Sequence, residues 1–448
     1  MKKIKFSLFL LGILTVLNIN AESKNIPRLT AQQKFTLQVD KYRNNNYPLG
    51  QKEVLQNKNI TQKNSAIGEP TYTYLRCWYR VSPIENRPES NYEWARDETG
   101  NYYKLPGVWW DDSFFQWKNM FYTSIPSVDL KNICLNTLEA RGYPTEDILY
   151  YAADNYLSFN HTIWNQDSPN QKEKFNKIIS FGDSLSDTDN MFNASNWNLP
   201  NKFLWFMGHF TNGKVWTEYL RDDLNKKLQT NITLYNWAVG CATGDEAYIV
   251  IPGLKQQIKS WIEYMKKAEN YNPEKTLFTV EIGANDFIDH DRSITEVTDD
   301  FITGMNELIA HGATNFVVMT LPDFTKAPAF KWRSDKEYVQ NKINTFNQNI
   351  TTFINTISHN VNFITVFDTY TFLNDVIENP NKYGITNENE SCLQIDEDTP
   401  INYISTHPIR PECLNADAAK HFVFWDRLHP TTHIHMLVAD NIAANIIQ

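Results

Sequence analysis

Beyond residue 177 the chain alternates between two hydrophobic patterns. Short apolar runs rich in β-branched and aromatic residues, KIISFGDS, LYNWAVG, TLFTVEIGAND, NFVVMTLPD and NFITVFDTY, read as buried strands. Between them lie longer segments with apolar residues at helical spacing, such as Ile343, Phe346, Ile350, Phe353, Ile354 and Ile357. The alternation predicts an α/β fold over 177–448, a central parallel sheet between two layers of helices. In open sheets of this kind ligands bind beyond the carboxyl ends of the strands. No repeat of fixed period is present, which sets aside solenoids and propellers.

Upstream the pattern is different. TYTYLRCWYR alternates, and NYYKLPGVWW and FFQWKNMFY add short aromatic runs broken by Gly, Pro and Asp-Asp, predicting a small β-rich domain over 69–164. The polar stretch NQDSPNQKEKFN, 165–176, reads as a linker. Residues 22–68 are rich in Asn, Gln and Lys with weak periodicity and read as a loose polar segment. The first 21 residues, MKKIKFSLFLLGILTVLNINA, join three lysines to an apolar core and a small terminal residue. They predict a secretory signal peptide and hence an extracellular protein. No later stretch approaches 18 apolar residues, so an integral membrane protein is not expected.

Charge and cysteines narrow the field. The net charge is −10, and removal of Lys2, Lys3 and Lys5 with the leader leaves 39 basic residues against 52 acidic. A nucleic-acid partner held by bulk charge is therefore not expected. Of five cysteines, Cys77 and Cys134 lie in the aromatic region, Cys392 and Cys413 lie near the end, and Cys241 stands between. In an exported chain this reads as two disulfides, Cys77–Cys134 and Cys392–Cys413, with Cys241 free. The second staples a loop, with a substrate lid as its functional alternative. No C-x-x-C or clustered His/Cys spacing points to a metal, and no cofactor is expected. Trp78, Trp94, Trp109, Trp110 and Trp117 crowd the aromatic region, where core packing is the first reading and contact with lipid or glycan the second.

Four short blocks carry the candidate chemistry. Gly182-Asp183-Ser184 ends the first predicted strand and, alone, reads as the cap of a following helix. Asn236 to Cys241, with Gly240 beside Cys241, ends the second; Gly283-Ala284-Asn285-Asp286 ends the third. Each alone is an ordinary turn. Asp426-Arg427-Leu428-His429 places a carboxylate three residues ahead of a histidine. Acyl transfer needs a nucleophile, a base, a group that fixes the base's tautomer, and donors where the oxyanion forms. The four blocks supply all of these, so together they outweigh their separate readings.

On these blocks the chain resembles the GDSL, or SGNH, hydrolases. The resemblance implies an SGNH-type α/β/α fold with Ser184 as nucleophile, His429 as base and Asp426 as acid. The oxyanion hole would be built from the Ser184 and Cys241 N–H groups and the Asn285 amide. YTYLRCWYR, WKNMFYTS, AADNYLSFNHTIW, GHFTNGKVWTEY and FVFWD-HPTT extend the likeness to the thermolabile haemolysin phospholipases and the related glycerophospholipid:cholesterol acyltransferases. It implies a phospholipid substrate, with cholesterol as an alternative acyl acceptor; a membrane-binding lytic or adhesive protein without catalysis is the reading from another class. One position departs from the pattern: Cys241 stands where these relatives have glycine. Any residue but proline supplies the N–H, so the expectation is a retained hole, an ordinary negative φ at Cys241, and its thiol packed beside the site.

Overall fold

Strands rich in Ile, Phe and Val that bury both faces belong in a parallel sheet covered on each side, and this is where the second half of the chain puts them. In the computed structural model, residues 72–446 are described except 83–86, 112–113, 154–158, 166–173, 249–250, 269–270, 396–399 and 415–418. The predicted signal peptide, the polar segment 22–68 and most of the predicted linker lie outside the described residues.

The aromatic region supplies β1 (Tyr72–Arg80), β2 (Ser90–Trp94), β3 (Lys104–Pro106), β4 (Val108–Trp110), β5 (Met120–Thr123), α1 (Ser127–Ala140), β6 (Ile148–Ala153), β7 (Asn160–His161) and β8 (Ile163–Asn165). β1 lies between β2 and β6, antiparallel to both, and β4-β5-β8 form a second small sheet. The helix α1 is an addition to the β-rich expectation. Its buried Leu130, Cys134 and Leu138 fall at helical spacing, and the Cys77–Cys134 disulfide ties it to β1.

After β9 (Lys177–Phe181) come α2 (Asn190–Ala194), α3 (Trp216–Leu228), β10 (Thr233–Asn236), the short hairpin β11 (Ala247–Tyr248) and β12 (Ile251–Pro252), and α4 (Leu254–Met265). They are followed by β13 (Thr276–Val280), α5 (Ala284–Ile288), α6 (Ile294–Ala310), β14 (Asn315–Met319), α7 (Lys336–Ile357), β15 (Phe363–Phe367) and α8 (Thr369–Glu378). The chain ends with β16 (Asn387–Ser391), β17 (Phe422–Phe424) and α9 (Thr432–Ile446). The central sheet is parallel in the order β10-β9-β13-β14-β15. One face packs against α4, α6 and α7, the other against α3 and α9. All five sheet strands predicted from the sequence are present.

The alternation in β1 has an unexpected use. Leu75, Cys77 and Tyr79 enter a core shared with α1. Tyr74 and Trp78 point the other way, into a cluster with Tyr92, Trp94, Phe192, Trp197, Phe206 and Met207. The second cluster takes its last four members from the α/β half, so the aromatic layer is glued to the α/β layer by apolar burial. Trp78, Trp94 and Trp109 are buried, which assigns them to packing. Trp78 is 1% exposed and meets Phe192 and Trp197 edge to face, at ring separations of 6.0 and 5.2 Å.

Trp78→Ala is expected to cost about 3–5 kcal/mol. Because the cluster spans both layers, far-UV circular dichroism and near-UV signals should lose structure in one coincident urea transition; two separated transitions would contradict a shared core.

Candidate active site

Side chains leave the carboxyl edge of the parallel sheet at three adjacent strands, and the residues singled out in the sequence gather there. After β9 the chain makes a turn in which the Ser186 and Asp187 N–H groups donate to the Asp183 carbonyl. Asp183 Oδ1 accepts the Leu185 N–H at 3.1 Å. Asp183 is thus the residue that caps the turn, and Ser184 sits within it with its hydroxyl free for other work; the next helix, α2, begins only at Asn190.

Ser184 Oγ lies 2.8 Å from His429 Nε2. His429 Nδ1 lies 2.9 Å from Asp426 Oδ2, and the Asp426 carboxylate also accepts the Leu428 and His429 N–H groups. Trp205 Nε1 donates to Asp426 Oδ2 at 3.0 Å. Burial alone would raise the Asp426 pKa, but the facing His429 and these hydrogen bonds outweigh it and hold the carboxyl below its ordinary value. Asp426 is therefore an anion that fixes the imidazole with Nδ1 as donor. The ring is held sideways by Phe210 at 5.1 Å and by Tyr403, from within the Cys392–Cys413 loop, at 5.6 Å.

Opposite this chain stands the turn after β10. Gly240 N–H donates to Asp187 Oδ2 at 2.7 Å, and Ala242 N–H closes the turn on the Val239 carbonyl at 3.0 Å. A side chain at Gly240 would run into the Phe210 ring, 2.5 Å from the position of its Cβ. Cys241 has φ +63°, not the negative value expected from its residue type. The cause is the turn itself: with Val239 first and Ala242 last, Cys241 is the third residue, where this kind of turn requires left-handed backbone and usually takes glycine. Its half-buried thiol packs on the main core, and burial first, then nearby Asp289 and Asp183, push its pKa far up. The thiol stays neutral and is no rival nucleophile. Among the described residues, neither the Ser184 nor the Cys241 N–H is engaged by a backbone carbonyl.

The third block opens α5 after Gly283. Asn285 Nδ2 donates to the Ala242 carbonyl at 2.9 Å and faces Asp183 Oδ2 at 3.4 Å. Asp286 Oδ2 accepts the Gly244 N–H at 3.0 Å while Oδ1 takes Arg292 Nη1 at 2.7 Å, so the second and third blocks are laced together. Burial lifts Asp183 to about 6 and, with Asp183 as neighbour, lifts Glu281 well above its ordinary range. Glu281 is accordingly pushed to the neutral acid beneath the turn, with its Oε2 3.5 Å from the Ser186 hydroxyl.

Several residues in this framework were not singled out in the sequence. Asp187 accepts four backbone N–H groups, from Asp189, Asn190, Met191 and Gly240. Lys118, from the aromatic layer, is buried and donates to the Asn190 side chain at 2.9 Å and to the Asn236 carbonyl. Its signal in the sequence is a lysine inside an aromatic run, WKNMFY. His209 has acceptors at both ring nitrogens, the Phe206 carbonyl at 2.7 Å and Glu218 at 2.8 Å, which only the imidazolium satisfies. Burial opposes its charge, yet Glu218 raises its pKa; burial likewise opposes ionisation of Glu218, yet His209 pulls that carboxyl down to about 2. No group of three or more His, Cys, Asp or Glu side chains suited to a metal occurs among the described residues.

A serine, an asparagine and an Asp-His pair on the carboxyl edge of a parallel sheet define an SGNH-type serine esterase. The chain belongs to the GDSL-like Lipase/Acylhydrolase family, whose model matches residues 178–442. Residues 43–166 match the family described as Vibrio dual lipase/transferase, N-terminal domain. Thermolabile hemolysin of Vibrio parahaemolyticus is 42% identical over 374 residues, spanning 83% of this chain and 87% of the relative. Phosphatidylcholine-sterol acyltransferase of Aeromonas hydrophila is 21% identical over 313 residues, 61% of this chain and 90% of that one.

Two outcomes follow from the geometry. Cys241→Gly should hold or raise stability, by about 1 kcal/mol at most, since relief of left-handed strain offsets the added freedom of the unfolded chain; a loss larger than that in urea denaturation would contradict it. The His209-Glu218 pair contributes its full stability between the ordinary carboxyl and imidazole ranges, roughly pH 4.5 to 6.5. That contribution is lost as pH rises through the raised His209 pKa and as it falls towards the Glu218 value of about 2. Urea midpoints across pH should show the alkaline decline, and His209→Gln should remove that part of the slope.

Proposed function

We propose that the protein is a secreted phospholipid acyl hydrolase working through a Ser184 acyl-enzyme. The observation that carries this is the continuous chain from Ser184 Oγ through His429 to Asp426, with links of 2.8 and 2.9 Å. His429 takes the Ser184 proton as Oγ attacks the ester carbonyl; Asp426 keeps the imidazole oriented and stabilises its charged form. The Ser184 and Cys241 N–H groups and the Asn285 amide receive the negative charge that develops on the carbonyl oxygen. One Nδ2 hydrogen of Asn285 is held by Ala242, leaving the other opposed only by Asp183 at 3.4 Å. His429 then returns its proton to the leaving alcohol, and water, activated by the same ring, releases the fatty acid. Export is supported by the predicted leader and by two disulfides, which persist in oxidising compartments.

Transfer of the acyl group to an alcohol such as cholesterol uses the same site with a different second acceptor. The similarity to a dual lipase/transferase domain and to a phosphatidylcholine-sterol acyltransferase favours keeping this reading beside the first.

Ser184→Ala is expected to lower turnover of phosphatidylcholine by at least about 10⁴-fold without loss of fold. Mass spectrometry of products from phosphatidylcholine vesicles containing cholesterol separates free fatty acid from sterol ester. Membrane lysis retained in full by the Ser184→Ala protein would overturn catalysis as the cause of lysis.

A further inference from the structure

The connection from β14 to α7 carries the most exposed large apolar side chain among the described residues. Trp332 is 85% exposed, and Tyr338, at the start of α7, is 56% exposed. The other large apolar side chains in this class, Val81, Val108, Phe114, Val128 and Tyr143, lie between 39 and 48% and all belong to the aromatic layer. A tryptophan ring left in water forgoes a large burial gain, and its amphipathic ring is suited to the headgroup level of a bilayer.

Trp332 stands on a braced platform. The connection leaves the carboxyl end of β14, the same sheet edge that presents Ser184 and Asn285. Ala329 N–H donates to the Arg427 carbonyl at 2.9 Å, two residues before His429. Arg333 Nη2 donates to the Ile288 carbonyl, the last residue of the helix that begins beside Asn285, at 3.0 Å. Its guanidinium also pairs with Asp335 at 2.7 Å and lies 4.4 Å from the centre of the buried Phe330 ring. The segment is therefore tied to both sides of the site, with Phe330 turned inward and Trp332 outward.

Its charge runs against that of the chain. Residues 324–338 hold Lys326, Lys331, Arg333 and Lys336 against Asp335 and Glu337, in a protein of net charge −10. Lys326, Lys331 and Lys336 are exposed, and none makes an ion pair with another described residue; Lys331 Nζ lies 5.4 Å from the Trp332 ring centre. An exposed aromatic side chain on a segment that carries three exposed lysines outside any ion pair complements anionic phosphates over an apolar layer.

The geometry points to this segment as the surface by which the enzyme docks on a phospholipid bilayer, with Trp332 entering the headgroup layer and Lys326, Lys331 and Lys336 meeting lipid phosphates. Docking here presents the carboxyl edge of the sheet to the membrane. The inference rests on the reading of the substrate as bilayer phospholipid, and it concerns residues that take no part in the chemistry.

The test uses the full exported chain and vesicles of phosphatidylcholine with phosphatidylglycerol. In a Ser184→Ala background, where no lipid is consumed, Trp332→Ala should weaken co-sedimentation with vesicles about tenfold, and Trp332→Phe should keep most of it. Charge reversal at Lys331 and Lys336 should remove the dependence on phosphatidylglycerol and on salt. With Ser184 intact, Trp332→Ala should reduce vesicle hydrolysis in proportion to binding, while kcat/KM for a soluble short-chain p-nitrophenyl ester stays within twofold. Undiminished vesicle binding would overturn the inference. So would a fall in soluble-ester turnover matching that on vesicles, which would make the segment part of the site's scaffold, or a dimer that Trp332→Ala dissolves, which would make it a protein interface. If the parent binds vesicles through Trp332 yet releases no fatty acid, the substrate reading fails and the docking surface stands.

Discussion

Four backbone N–H groups converge on the Asp187 carboxylate, and the working edge of the sheet depends on that convergence. Three of them come from the entry to α2 and the fourth from Gly240, so one side chain joins the loop after β9 to the loop after β10. Burial raises the Asp187 pKa against the pull of these donors. A buried carboxylate without such partners would be untenable, and a backbone N–H without it would be an unpaired donor. The same contact takes up the Gly240 N–H, while that of Cys241 has no backbone carbonyl partner among the described residues. Lys118 completes the arrangement from the aromatic layer by binding the Asn236 carbonyl and the Asn190 side chain, which itself holds the Asn236 and Ala238 carbonyls.

Charges beneath the site are sorted by environment. Asp426 is kept ionised by hydrogen bonds and by His429, whereas Glu281 is kept neutral by burial and by Asp183. These opposite outcomes for two buried carboxyls follow from the neighbours each one has. His435, close to both His429 and His209, is driven down to about 3 by burial and by those two rings, and accepts the Trp216 N–H. It remains neutral, a buried acceptor for that N–H.

The strands of the main sheet were legible because each is a short apolar run, and the central three, β9, β13 and β14, are buried on both faces, a pattern that needs no tertiary information. Ser184 and Asn285 stood out at predicted strand ends, and Asp426 and His429 through a carboxylate three residues ahead of a histidine. Lys118 and Trp205 were not, because each acts on a partner far away in the chain, as does Asp187 through Gly240; Trp205 and Asp426 are 221 residues apart. Cys241 shows a different limit. Residue type argued for negative φ, but the turn between Val239 and Ala242 fixed the backbone first and the cysteine adopted it. The helix α1 was masked by the aromatic runs around it, although its apolar spacing was present.

The two-faced burial of β1 has a consequence for how the chain acquires its fold. One face of β1 finds its partners between Ala95 and Ile163, in α1 and the neighbouring strands. The other, with Tyr74 and Trp78, is completed by Phe192, Trp197, Phe206 and Met207, which lie more than a hundred residues further along the chain. As the chain folds, the aromatic layer therefore passes through a stage with its Tyr74 and Trp78 face uncovered, a state prone to aggregation until the first loops of the α/β half pack on it. A chain cut between the two regions would be left in that stage on one side and without Lys118 on the other.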